Sequence, residues 1–262
     1  MTLAEGGIDI GPLLAEYRRA VDGELAERLA AWPPNFAQVQ VHEVIGGMIA
    51  RQATLAKEIA NAPDLWNGHS APILLRAMAD AHINMAWLLL DPAIRCLKFI
   101  SFGLGQAKLE LEHRRAHMGD REPTAEEADM LEVQERWIDS QRIRFLQDVD
   151  LGKWSGLSVR QMAEEAGCID FYNYVYTPFS SCAHSMWQHI GHYNLVTCEN
   201  PLHRYHRLPT SADHDPSLDY MILAAKYWNK TLRVFDQAIG FNRTGVSAFD
   251  AFVKAVATDT VN

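Results

Sequence analysis

From Ile73 to Leu90 the chain reads ILLRAMADAHINMAWLLL, apolar on nearly every side when wound as a helix. A helix with no water-facing side has to be wrapped by other elements. The wrapping is at hand, because helical periodicity runs along almost the whole chain. GPLLAEYRRAVDGELAERLAAW sets Leu13, Leu14, Tyr17, Val21, Leu25 and Leu29 at helical spacing, and Pro33-Pro34 stops it. A second helix is expected over about 37–62, ended by Pro63, and a fourth after Asp91-Pro92. Pro123 with the Thr124-x-x-Glu127 capping box opens a fifth. A short helix follows Ser158, then a histidine-rich one over Phe179–Asn194, one over about 217–239, and a helical tail over about 247–256. No alternating strand pattern bounded by turns is visible. The fold class is therefore all-α, a multi-helix bundle with an up-and-down core. Residues 1–65 are expected as an N-terminal helical layer on a bundle of 66–262, within one domain or beside it. Asp150–Gly156 reads as a turn and Thr197–Pro216 as a long loop.

The central helix carries misplaced polar groups. Arg76 and Asp80 are one turn apart and can pair, and charge inside a core is costly unless paired. Two readings stand: a structural ion pair, or a polar pocket in which Arg76 holds an anion. The stretch FSSCAHSMWQHIGHYN adds Ser180, His184, His189 and His192. On one continuous helix, with about 100° per residue, Ser180, His184 and His192 share a side and His189 sits at its margin. Ser180 and His184, one turn apart, could hydrogen-bond. That spacing argues against a three-histidine metal site on one helix, so no metal and no cofactor are expected. Histidine titrates near neutral pH and can serve as general acid or base. His203 to Arg207 reads HRYHR, a basic-aromatic patch suited to stacking bases and holding phosphate through Arg204 and Arg207.

Charge limits the partners. With 24 Lys+Arg against 33 Asp+Glu the net charge is -9, which leaves no broad footprint for nucleic acid; RNA would need a local patch. The four cysteines show no C-x-x-C spacing and read as reduced thiols of a cytoplasmic protein. The segment MTLAEGGIDIGPLLAEYRR lacks the features of a secretory leader, and no membrane association is expected.

Two segments, ILLRAMADAHINMAWLLLDP and WSGLSVRQMAEEAGCIDFYNYVYTPFSSCAHS, together resemble the bacterial proteins grouped as domain of unknown function 5677. The family pattern is an Arg-x-x-x-Glu helix ending in Asp-Pro, then a Tyr-rich segment leading to Ser-x-x-x-His. It falls here on Arg76, Asp80 in place of the usual Glu, Tyr172, Tyr176, Ser180 and His184. The resemblance covers roughly Trp66 to Tyr193. In helical layout the family is similar to the HEPN (higher eukaryotes and prokaryotes nucleotide-binding) proteins, many of them metal-independent ribonucleases of toxin and phage-defence systems. Those act as dimers through an Arg-x(4–6)-His motif. That likeness implies RNA as substrate and a homodimer. The motif is degraded here: Arg76 and His82 diverge by about 120° on a continuous helix, and Ser180 stands where an arginine would precede His184. The expected catalytic set is thus His184 as acid–base group, Arg76 as anion holder, Asp80 as its orienter and Ser180 as partner of His184, with Tyr176 nearby. His189, His192, Arg204 and Arg207 are the expected substrate-binding residues. The competing readings are a non-catalytic accessory protein with a partner from the same operon, and a metal-binding helical enzyme.

Overall fold

The computed structural model describes residues 10–119, 121–145, 154–211 and 214–259. It is all-α in substance. Four long helices come first: α1 (Gly11–Ala31), α2 (Val39–Asn61), α3 (Ala71–Leu88) and α4 (Pro92–Met118). Prolines stand at the starts of α1, α3 and α4. α5 (Ala125–Phe145) opens on the expected capping box: the Glu127 carboxylate accepts from Thr124 N–H at 2.8 Å, and Thr124 Oγ1 accepts from Glu127 N–H at 3.3 Å. A second capping box, Ser158 with Gln161, starts α6 (Val159–Glu165). Next come α7 (Ile169–Phe171), a π-helical turn (Tyr172–Tyr176), α8 (Thr177–Ala183) and α9 (Trp187–Tyr193). α10 (Leu218–Ile239) ends on Gly240 at φ 69°, the left-handed stop that glycine adopts without strain, and α11 (Ala248–Asp259) is the last described helix.

α3 is the central helix. Leu75, Met78, Ala79, Ile83, Met85 and Leu88 are buried, and α2, α10, α8 and α6 pack around them. One continuous apolar cluster includes Leu14, Tyr17 and Val21 of α1 and Ile45, Ile49 and Ile59 of α2 as well as residues of α3 and α10, so α1 and α2 share this core. α4 packs on α2 and on α5, and α5 leaves Met130, Val133 and Trp137 exposed. No helix among the described residues is long and apolar enough to cross a membrane. Cys96, Cys168, Cys182 and Cys198 are all free thiols.

Three expectations change. The histidine-rich segment is not one helix: α8 stops at Ala183, Ser185 takes φ 49°, and α9 starts afresh at Trp187. The angular argument across Ser180, His184, His189 and His192 therefore does not apply. The loop expected over 197–216 is partly a two-stranded antiparallel hairpin that starts just before it, β1 (Leu195–Thr197) with β2 (Arg207–Pro209), in register Val196 opposite Leu208. Three-residue strands are too short to display an alternating pattern. In α1 the buried stripe passes from Leu14, Tyr17 and Val21 to Glu24 and Arg28, while Leu29 is exposed. Residues 1–9, most of the expected turn at 150–156, and residues 212 and 213 lie outside the described residues.

Candidate functional site

Arg76 leaves α3 on the side that meets α8, and its guanidinium is engaged on three sides. Nε donates to Ser180 Oγ at 2.6 Å, and Nη1 is ion-paired with Asp80 one turn along. The guanidinium carbon lies 3.3 Å from the centroid of the Tyr176 ring, a cation–π contact. The π-helical turn supplies that ring, and the Tyr172 ring stacks on it at 4.8 Å. Wide turns of this kind shift the register of the helix that follows and often occur at functional sites. The Ser180 hydroxyl donates a hydrogen bond to the Tyr176 carbonyl at 2.8 Å. Its hydroxyl is therefore spent on Arg76 and Tyr176, in place of the expected bond to His184.

His184 is the residue that ends α8, and its side chain is exposed. The Arg76 side chain is 11% exposed and that of Asp80 40%, so the pair runs from the interior to an open face. Burial raises the Asp80 pKa from its ordinary value; the charges of Arg76 and, more weakly, His184 pull it back. The Tyr176 phenol is likewise raised, first by burial and then by Asp80. The fold thus joins Arg76, Asp80, Tyr176 and Ser180 directly, with His184 in electrostatic reach at the rim.

His189 and His192 belong to a neighbouring cluster. His189 Nε2 lies 3.2 Å from His69 Nδ1, and His69 packs against Tyr193 at 5.1 Å and His214 at 5.0 Å between ring centroids. His192 meets Tyr193 edge-on at 4.6 Å. Burial, then the proximity of His69 and His192, lowers the His189 pKa. His69 has no helical phase to betray it. The local signal is the Asn-Gly turn before Pro72, where the Asn67 side chain caps the N–H groups of His69 and Ser70 at 3.0 Å each. Gly68 is what lets Tyr193 close on this turn, since a β-carbon there would stand 2.4 Å from the ring. Gly68→Ala is expected to cost ~1–3 kcal/mol, the usual penalty of overpacking. A thermal melt would read this as a loss of several degrees; an unchanged melting temperature would mean that Tyr193 swings away freely.

Arg204 is exposed at the hairpin tip. Arg207 donates to the Gly191 carbonyl at 2.7 Å and stands 5.4 Å from the Trp187 ring, so α9 and the hairpin share a basic-aromatic face. Among the described residues, Cys198, His203 and His206 are the group whose donor atoms could share a metal ion.

No curated protein and no solved structure matches the chain significantly. The sequence profile of the family of unknown function DUF5677 matches residues 42–201, a span that holds Arg76, Asp80, Tyr176, Ser180 and His184. The chain belongs to that family.

Proposed function

We propose that the protein is a metal-independent phosphodiesterase acting on RNA, of the kind that toxin and phage-defence systems use. The observation that carries the reading is the meeting of Arg76 and Asp80 with Tyr176 and Ser180, one turn before an exposed His184. Cleavage of RNA through its own 2′-hydroxyl needs a base to take that proton and an acid to protonate the departing 5′-oxygen. His184 and Asp80 are titratable groups at the open end, and burial raises the Asp80 pKa, the direction that favours proton transfer by a carboxyl. Arg76 acts here as a positioning residue: with three sides engaged, it fixes Asp80 and lends positive charge from beneath. Trp187, His192, Arg204 and Arg207 would receive bases and phosphates.

In the test, end-labelled RNA is incubated with the protein in EDTA. Wild type is expected to cleave it, and His184→Ala to lose about 10²–10⁴-fold while melting at the same temperature. Cleavage that needs added divalent metal, or that survives His184→Ala, overturns the reading.

The engagement of Arg76 by Ser180, Asp80 and the Tyr176 ring favours a second reading, a non-catalytic accessory protein in which the cluster only locks α3 to α8. In that case Arg76→Met lowers the melting temperature and wild type shows no cleavage to lose.

A further inference from the structure

We infer that the tip of the β1–β2 hairpin is a zinc site formed by Cys198, His203 and His206. One donor atom from each residue lies within 4.8 Å of the other two. Cys198 Sγ is 3.7 Å from His203 Nδ1, and the rings of His203 and His206 are 5.4 Å apart between centroids. Zn–S bonds near 2.3 Å and Zn–N bonds near 2.0–2.1 Å at tetrahedral angles put sulfur and nitrogen about 3.5 Å apart. The Cys198–His203 separation is already close to that edge.

The backbone holds the donors in place. Cys198 N–H donates to the His206 carbonyl at 2.9 Å, directly beyond the last β1–β2 pair. His203 N–H donates to the Asn200 carbonyl, and His206 N–H to the His203 carbonyl. Tyr205 sits at φ 65°, an uncommon conformation for a residue with a side chain, and its backbone lets the turn bring His206 back towards Cys198. A chelate of this sort asks little rearrangement of the chain.

One thiolate and two imidazoles suit a borderline ion, which favours Zn2+ over the hard cations that prefer oxygen. Zn2+ takes the sulfur as thiolate, so binding releases the thiol proton to solvent. The Asn200 side-chain amide lies 3.3 Å from His203 Nε2. Turned end for end, it would give the Nε2–H of a metal-bound imidazole its acceptor, at the cost of its contact with the Leu202 N–H. Both histidines are exposed, so the fourth position opens to water or to an outside donor. This site does not depend on the chemistry proposed at Arg76. It also lies apart from the His189 and His192 spacing on which the expectation of no metal rested.

The test uses the full chain, freed of metal by chelator and titrated with Co2+ and then Zn2+. One equivalent of Co2+ should give the intense visible bands of a tetrahedral site together with a thiolate charge-transfer band, and Zn2+ should bleach both. Cys198→Ser should remove the charge-transfer band, and Cys198→Ser and His203→Ala should each weaken Zn2+ binding at least tenfold, with helical circular dichroism unchanged. Replacing the exposed pair His113 and His117 of α4 by alanine should leave binding as it was. Absence of the charge-transfer band in wild type, or equal Zn2+ affinity in wild type and Cys198→Ser, would overturn the site.

Discussion

Arg28→Ala should be among the most damaging single substitutions in this chain. The Arg28 guanidinium grips Asp236 of α10 with two bonds of 2.6 Å, Nε to Oδ1 and Nη2 to Oδ2, and its side chain is only 3% exposed. Nη1 closes onto the Glu24 carbonyl at 3.0 Å. Removing one partner of a buried pair leaves the other charge without compensation, which typically costs 3–5 kcal/mol. Asp236 keeps 16% exposure, so about 3 kcal/mol is expected, a fall of roughly 6–12 °C in melting temperature for a chain of this size. The double change Arg28→Met with Asp236→Leu should recover most of the loss, because an apolar replacement leaves no charge behind. Urea denaturation of the three chains reads this directly. A loss below 1 kcal/mol would show that the pair is not closed off from water as the structure has it.

The second large effect is acid unfolding through His82. This imidazole is 1% exposed, with Nδ1 3.0 Å from Thr231 Oγ1 and its ring edge-on to Phe171 at 4.8 Å. Gln52 Nε2 donates to the same threonine oxygen at 2.9 Å. Burial, with the nearby Lys230 charge, pushes the His82 pKa down to about 3. In the unfolded chain it lies near 6.5. Between those values the unfolded chain holds a proton that the folded one refuses. His82 therefore leaves stability intact above about pH 6.5, and stability falls as the pH drops from there towards 3. Across the window the loss is on the order of 3–5 kcal/mol. Urea midpoints for wild type and His82→Gln at pH 7.5 and pH 5 isolate this residue: the wild type should lose more, by close to one proton's slope. Equal pH dependence in the two chains would contradict a neutral buried imidazole.

What could be read in advance follows from how local each signal is. α3 announces itself because apolar residues fill every phase of it, and Arg76 with Asp80 stand out against that background. Their meeting with Ser180 and Tyr176, about a hundred residues on, is a tertiary fact that no spacing encodes; only the family resemblance linked the two segments. The break at Ser185 is a single backbone rotation in a residue that carries a side chain, so nothing in the composition marks it. In α1, Glu24 and Arg28 look like a solvent-facing pair at i,i+4 spacing. Instead Glu24 turns inward to accept from Trp228 Nε1 at 2.7 Å and from the Ala248 N–H at 2.9 Å, and it pairs with Arg243. Inward charges of this sort are paired by α10, α11 and the turn between them, more than 200 residues away. The metal-capable triad was hidden for the same reason: Cys198 and His206 face each other only after the hairpin closes.

The junction between α3 and α8 holds the candidate site together, and a double-mutant cycle on Arg76→Met and Ser180→Ala measures that junction directly. The 2.6 Å bond from a charged donor predicts a coupling of about 1 kcal/mol or more between the two changes in urea-derived stability, so that the double variant is less damaged than the sum of the singles. Strictly additive losses would mean that Arg76 and Ser180 do not touch, and the site built on their contact would fall with it.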